Sequence, residues 1–78
     1  MAFDYRKLRG RIREKFGSEK FFSSAMGWSE RTTSFKLNGI RPWKQQEIMR
    51  AIELLDLSKE DIHLYFFTVK VQNFELTR

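Results

Sequence analysis

Few side chains in this sequence could take part in catalysis or bind a metal. Asp61 and His63 lie close together, but neither a nucleophile nor an orienting group accompanies them. Glu60 and Asp61 fall at a predicted helix start, where the helix dipole explains two carboxylates. The sequence has no Cys and a single His, which excludes thiolate chemistry, disulfides and histidine metal clusters. We therefore expect no enzyme activity, no cofactor and no metal.

Basic side chains are the more informative group, because they could bind a polyanion. The formal net charge is +5 and the isoelectric point is near 9.9. Residues 1–50 hold twelve Lys or Arg against five acidic residues, a net +7, whereas residues 51–78 carry a net −2. The positive charge is therefore concentrated in the first two thirds of the chain, as a nucleic-acid-binding face requires.

The elements that would position these side chains are predominantly helical. Seventy-eight residues make one small domain, and its twelve aromatic residues supply the apolar area of a core. A first helix is predicted to open with Asp4 as N-cap and to end at Gly17. Its predicted buried side chains are Tyr5, Leu8, Ile12 and Phe16, and the arginines assigned to its solvated side are Arg6, Arg9 and Arg13.

The segment from Ser18 to Pro42 predicts two short helices joined by a tight turn. Ser18 would cap the second helix, Gly27 would close it and form the turn, and Ser29 would cap the third. Asn38-Gly39 would end the third helix. This is the pattern of a helix-turn-helix over residues 18–39, in which one helix lies in the major groove of DNA. The predicted inward side chains here are Phe22, Ala25, Met26 and Trp28, with the small Ser23 at the close approach of the two helices.

Two further helices are predicted after residue 42, and the pattern then changes from helical to extended. A fourth helix is predicted over about residues 44–55, and a fifth begins at Ser58 with a capping-box pattern that ends on Asp61. Residues 67–72 alternate with a period of two, which predicts a strand. A single strand has no internal partner in a helical domain, so we expect either an extended tail or pairing with a second subunit. The predicted dimerisation residues are Val69, Val71, Phe74 and Leu76.

The stretches 27–32 and 37–42, GWSERT and LNGIRP, resemble the lambda-repressor-like, Cro/C1-type (XRE-like) helix-turn-helix regulators. The opening AFDYRKLRGRIREKFG and the stretch LNGIRPWKQQEIMRAIELL resemble, more narrowly, small phage and prophage repressors of Gram-positive bacteria. The resemblance implies an all-α fold, a five-helix DNA-binding domain with a short C-terminal strand or tail. Thr33 and Lys36 depart from it, because the family usually places apolar residues there. Glu19 also departs, because related proteins often place a Gln there that contacts phosphate. A carboxylate at this position would repel phosphate instead.

The resemblance also implies which residues face DNA. The positions directed toward the bases are Ser29, Glu30, Arg31, Ser34 and Phe35. Arg31 could donate to guanine, Glu30 could accept from cytosine, and an exposed Phe35 could meet a thymine methyl group. The positions suited to phosphate are Lys20, Lys36, Asn38, Arg41 and Lys44.

Several of these residues have an ordinary structural alternative. Glu30 would also favour the positive end of the third helix, and Asn38 would also serve as its C-cap. Phe35 could belong to the core, and Trp43 is expected to be a packing residue. His63 is expected to be an ordinary surface residue.

Two functional hypotheses remain. The first is a sequence-specific transcriptional regulator of the phage or prophage repressor type, which would occupy a double-stranded DNA operator as a homodimer. The second is a protein-interaction module on the same fold, an antitoxin or anti-repressor that binds a partner regulator. We expect residues 1–67 to form the DNA-binding domain and residues 68–78 a tail, and no apolar run is long enough for a membrane span. The expected location is the cytoplasm of a bacterial host cell, at the nucleoid.

Overall fold

The structure is a computed structural model that describes residues 3–69. Within that range the chain forms five α-helices and one short 3₁₀ turn, with no sheet. The helices are α1 (Arg6–Phe16), α2 (Glu19–Met26), α3 (Glu30–Leu37), α4 (Gln45–Leu55) and α5 (Ile62–Phe66), and the 3₁₀ turn is Lys59–Asp61. The predicted all-α class is confirmed.

The start of α1 lies one residue later than the sequence predicts. The residue at the N-cap position is Tyr5, whose side chain makes no capping hydrogen bond. Asp4 caps the helix from one position earlier, because its Oδ1 accepts from the backbone N–H of Arg6 at 2.9 Å. The helix ends at Gly17, as predicted.

The α2–turn–α3 unit follows the predicted caps. The Ser18 hydroxyl accepts from the N–H of Phe21, and the Ser29 hydroxyl accepts from the N–H of Thr32. Gly27 has φ +79°, a left-handed conformation that costs glycine little. The chain then folds back, since the N–H of Trp28 donates to the Ser23 carbonyl at 2.9 Å. The local signals at these three positions were sufficient to locate both helices.

The core lies where α1, α2, α4 and α5 meet. Its fully enclosed side chains include Leu8, Ile12, Phe22, Leu55 and Phe66. Burial of each such side chain stabilises the fold by about 1.5–3 kcal/mol relative to exposure.

Trp43 links the aromatic side chains of the core, as its predicted packing role requires. Its ring centroid lies 5.0 Å from that of Phe66, 5.3 Å from that of Trp28 and 6.4 Å from that of Tyr5. The indole N–H donates to the Lys36 carbonyl at 3.2 Å, near the C-terminal end of α3. This single side chain therefore ties the end of α3 to the core.

The predicted fourth helix is present as α4, whereas the fifth begins later than predicted: Ser58 caps the 3₁₀ turn Lys59–Asp61, and α5 follows from Ile62. The Ser58 hydroxyl accepts from the N–H of Glu60 and also hydrogen-bonds to the Glu60 carboxylate, so Glu60 rather than Asp61 completes the cap. On the other side of the core, the Arg11 guanidinium donates to the carbonyls of Leu55 and Asp56 and satisfies the C-terminal end of α4.

The two ends of the described chain meet. Phe3 and Val69 form an isolated antiparallel bridge, and the N–H of Asp4 donates to the Thr68 carbonyl at 2.7 Å. The prediction that the C-terminal extended segment has no internal partner was wrong, because the residues before α1 provide one. The rest of the predicted strand and tail lies outside the described residues.

Candidate interaction surface

The first turn of α3 presents the predicted base-contacting residues Ser29, Glu30 and Arg31 to solvent. The Ser29 hydroxyl is committed to the helix cap, since it accepts from the N–H of Thr32 at 3.1 Å. Ser34 is half-buried, and its hydroxyl accepts from the side-chain amide of Asn38 at 3.2 Å. The outward charges of this turn are thus one acidic and one basic side chain.

Thr33 and Lys36, the two residues that depart from the Cro/C1-type pattern to which the sequence was compared, form the buried side of α3 together with Leu37. The hydroxyls of Thr33 and Ser23 lie 2.6 Å apart and share a hydrogen bond, and the Ser23 hydroxyl is also 2.8 Å from the Glu19 carbonyl. The close approach of α2 and α3 is therefore stabilised by a polar contact between buried hydroxyl groups.

Lys36 does not occupy a position from which it could contact phosphate. Only 5% of the residue is exposed, and its ammonium donates to Glu47 Oε1 at 2.7 Å and to the Pro42 carbonyl at 2.9 Å. The ammonium also lies 5.4 Å from the centre of the Trp28 ring. We therefore correct the sequence-based assignment of Lys36 to phosphate binding, because its charge is neutralised inside the protein.

The pairing with Lys36 affects the pKa of the Glu47 carboxylate. Its partial burial alone would raise the pKa. The hydrogen bonds from Lys36 and from the Lys44 backbone, with the attraction of the two ammonium groups, outweigh that effect and lower the pKa below its ordinary value. Glu47 was not among the residues singled out from the sequence, and no local pattern connects it to a lysine eleven positions earlier.

Phe35 lies at the surface between two arginines, which we call the Arg31–Phe35–Arg41 cluster. The guanidinium carbons of Arg31 and Arg41 lie 5.4 Å and 5.3 Å from the centre of the half-buried Phe35 ring. The backbone produces this arrangement: Gly39 adopts φ +74°, and the N–H groups of Ile40 and Arg41 both donate to the Phe35 carbonyl. Ile40 itself is 65% exposed beside the cluster.

A second polar group joins α1, α2 and the end of α3. The Arg9 guanidinium donates to Glu19 Oε2 and to the side-chain oxygen of Asn38, at 2.7 Å in both cases. Arg9 is half-buried, so it is less solvated than its predicted place on the outer side of α1 implies. Asn38 is exposed and lies at the C-cap of α3, so its predicted capping alternative fits its position. Glu19 is neutralised by Arg9 and repels a nearby anion less than the sequence suggests.

The remaining predicted contact residues are at the surface. Lys20, Arg41 and Lys44 are exposed, and Lys44 is the N-cap residue of α4. Phe21, in the first turn of α2, is 62% exposed although it is a large apolar side chain. Of the predicted dimerisation residues, Val69 is exposed beside its bridge to Phe3; Val71, Phe74 and Leu76 lie outside the described residues.

Comparison with known proteins places the chain in a family. It belongs to the family described as "Protein of unknown function (DUF739)", whose model matches residues 1–69. A solved structure that resembles it is the solution structure of the modulator of repression (MOR) of the temperate bacteriophage TP901-1 from Lactococcus lactis. The sequences are 49% identical, the match covers 92% of this chain and 97% of that chain, and the TM-score is 0.77. A comparison with curated proteins found no match.

These comparisons support part of the sequence-based assignment. They agree with a small, mostly helical domain of five helices, but they do not specifically identify a Cro/C1-type repressor or a lambda-repressor-like fold. In residues 3–69, no helix combines the length and the apolar character needed to cross a membrane.

Proposed function

We propose that this protein is a phage regulatory protein that acts by binding a repressor protein, in the manner of an anti-repressor or modulator. The observation that carries the proposal is the 49% identity to a modulator of repression over 92% of this chain. Of the two hypotheses that the sequence left open, this similarity favours the protein-interaction module.

The outer surface of the α2–turn–α3 unit supports this proposal by its composition. A helix that reads DNA uses cationic donors, and phosphate neutralisation supplies much of the affinity. With Lys36 turned inward, the only charged side chains that α3 presents outward are Glu30 and Arg31, which cancel. The large side chains of Phe21, on α2, and of Ile40, three residues after α3, are exposed. Aromatic and apolar groups mixed with arginine are typical of a protein interface.

Isothermal titration of the full chain with the repressor of the phage that encodes it tests the proposal. We expect a saturable complex, and we expect Phe21→Ala to weaken it at least tenfold, because a buried aromatic anchor contributes more than about 1.4 kcal/mol. Leu64→Ala is the matched control, since Leu64 is also an exposed apolar residue but lies on α5. Absence of a complex at micromolar concentrations would contradict the proposal.

DNA binding is the second candidate, and four exposed basic residues favour it. Arg31 would read a base, and Lys20, Arg41 and Lys44 would hold phosphates on either side of α3. Band shifts should then show binding that weakens steeply with salt. Arg31→Ala should cost about 1–3 kcal/mol and relax specificity, whereas Lys44→Ala should weaken all sequences alike. Equal losses on specific and random DNA for Arg31→Ala would refute base reading.

The proposed homodimer is tested separately. Removal of residues 70–78 takes away Val71, Phe74 and Leu76 and retains the Phe3–Val69 bridge. Sedimentation should show a dimer for the full chain and a monomer after truncation. An unchanged mass would exclude these three residues as the dimer contact.

A further inference from the structure

We propose that the Arg31–Phe35–Arg41 cluster binds a carboxylate side chain of the protein partner, with Ile40 contacting an apolar group next to that carboxylate. This inference rests on the proposed function and specifies the chemistry of the partner surface. The partner is thus a protein that presents an acidic residue beside an aliphatic or aromatic one.

The backbone holds the cluster in place. Arg31 and Phe35 are one helical turn apart on α3, so their side chains lie on the same side of the helix. Arg41 reaches the same ring because its own N–H and that of Ile40 donate to the Phe35 carbonyl, at 3.2 Å and 2.9 Å. Both guanidinium groups are therefore oriented before a partner arrives, which lowers the entropic cost of binding.

The charge of the cluster is not balanced by an ion pair within the described chain. The ion pairs among residues 3–69 involve Arg6, Arg9, Arg11 and Lys36, and neither Arg31 nor Arg41. Glu30 is the neighbour of Arg31 in sequence, yet the two are not paired. Neither guanidinium is neutralised by a described carboxylate, so a carboxylate of the partner would accept charge-assisted hydrogen bonds from the cluster.

The cluster should bind a carboxylate through the planar geometry of its guanidinium groups and not through positive charge alone. A guanidinium that lies against an aromatic ring still has in-plane N–H donors free for a carboxylate, and a lysine ammonium cannot reproduce that planar fork. Arginine and aromatic side chains are also enriched among the residues that dominate binding energy in protein interfaces. The exposed Ile40 extends the surface with an apolar contact.

The test uses the full chain with two arginine-to-lysine substitutions, Arg31→Lys and Arg41→Lys, titrated with the repressor of the same phage. The net charge is unchanged, so only the fork and the stacking on the ring are lost. We expect binding to weaken at least tenfold. Arg13→Lys is the matched control, because Arg13 is an exposed arginine on α1, and it should leave affinity within twofold. Phe35→Leu, which removes the ring but keeps an apolar side chain, should also weaken binding, with thermal melting as the check on folding.

The outcomes separate this inference from the proposed function. If the unmodified chain forms no complex with the repressor, both fail. If it binds and the double lysine variant binds within twofold of it, the carboxylate site is overturned and the proposed function stands. If the variant Arg31→Gln with Arg41→Gln binds the repressor within twofold of the unmodified chain but no longer binds operator DNA, the cluster is a phosphate site and the inference is wrong.

Discussion

Removal of the Glu47 carboxylate should destabilise this protein more than removal of its partner Lys36. Glu47→Ala leaves a nearly buried ammonium without its anion, since only 6% of the Lys36 side chain is exposed, against 20% for Glu47. Lys36→Met leaves the carboxylate instead, which is closer to water and still accepts from the Lys44 backbone N–H at 2.8 Å. Loss of Glu47 and loss of Lys36 should therefore lower the free energy of unfolding by different amounts, although the two residues form one ion pair.

The magnitude follows from what each substitution leaves behind. Loss of one partner of a buried pair costs about 3–5 kcal/mol. We expect the lower end, about 3 kcal/mol, for Glu47→Ala, because Lys36 keeps the Pro42 carbonyl and the Trp28 ring. For Lys36→Met we expect about 1 kcal/mol, the scale of one net hydrogen bond. The double variant should cost about 2 kcal/mol less than the sum, a coupling within the range for residues in contact.

Urea unfolding followed by tryptophan fluorescence measures these free energies, since Trp28 and Trp43 both lie beside the pair. A loss of 3 kcal/mol corresponds to a fall in Tm of about 12–24 °C for a domain of this size. Glu53→Ala, an exposed glutamate on the same helix, is the control and should stay within about 0.5 kcal/mol.

The pH dependence has a definite sign. The native pKa of Glu47 is lowered, so its contribution is present above the unfolded-state pKa of about 4.3 and is lost as the pH falls below it. The stability difference between the unmodified protein and Glu47→Ala should therefore be constant near neutral pH and shrink in acid. Equal costs for Glu47→Ala and Lys36→Met, or additive costs in the double variant, would refute the reasoning.

Three further substitutions test local features. Gly10→Ala should stabilise the protein by about 0.5–1 kcal/mol, because Gly10 lies inside α1 and an added Cβ meets no atom within 4 Å; a lower Tm would show that the site is tighter than the structure indicates. Gly39→Ala has equal space but φ +74°, so it should cost about 1–2 kcal/mol in thermal unfolding and displace Arg41, and an unchanged Tm would contradict this. Thr33→Val removes the hydroxyl that meets Ser23 and should cost about 1 kcal/mol in urea, with Thr32→Val, on the half-exposed side, as its control.

Short-range signals in the sequence were sufficient for both ends of α2 and α3 and for the C-terminal end of α1. Ser18, Gly27 and Ser29 each act through a hydrogen bond or a backbone conformation within four residues, so the pattern alone located α2 and α3. The same reason explains the errors. Asp4 capped α1 from one position further out, and Glu60 replaced Asp61 in the cap after Ser58, because such hydrogen bonds can shift by one residue.

The character of the candidate surface was decided only by tertiary structure. Whether Lys36 faced solvent or the core depended on Glu47, eleven residues away, and the position of Arg9 depended on Asn38, twenty-nine residues away. The internal partner of Val69 was Phe3, at the opposite end of the chain. The sequence by itself determined the helices, the turn and the excess of basic charge, since these depend on composition and near neighbours. Tertiary packing decided which charges are neutralised inside the protein and which remain exposed. The reason is that the free energy of a charged group depends on the groups that the fold places next to it.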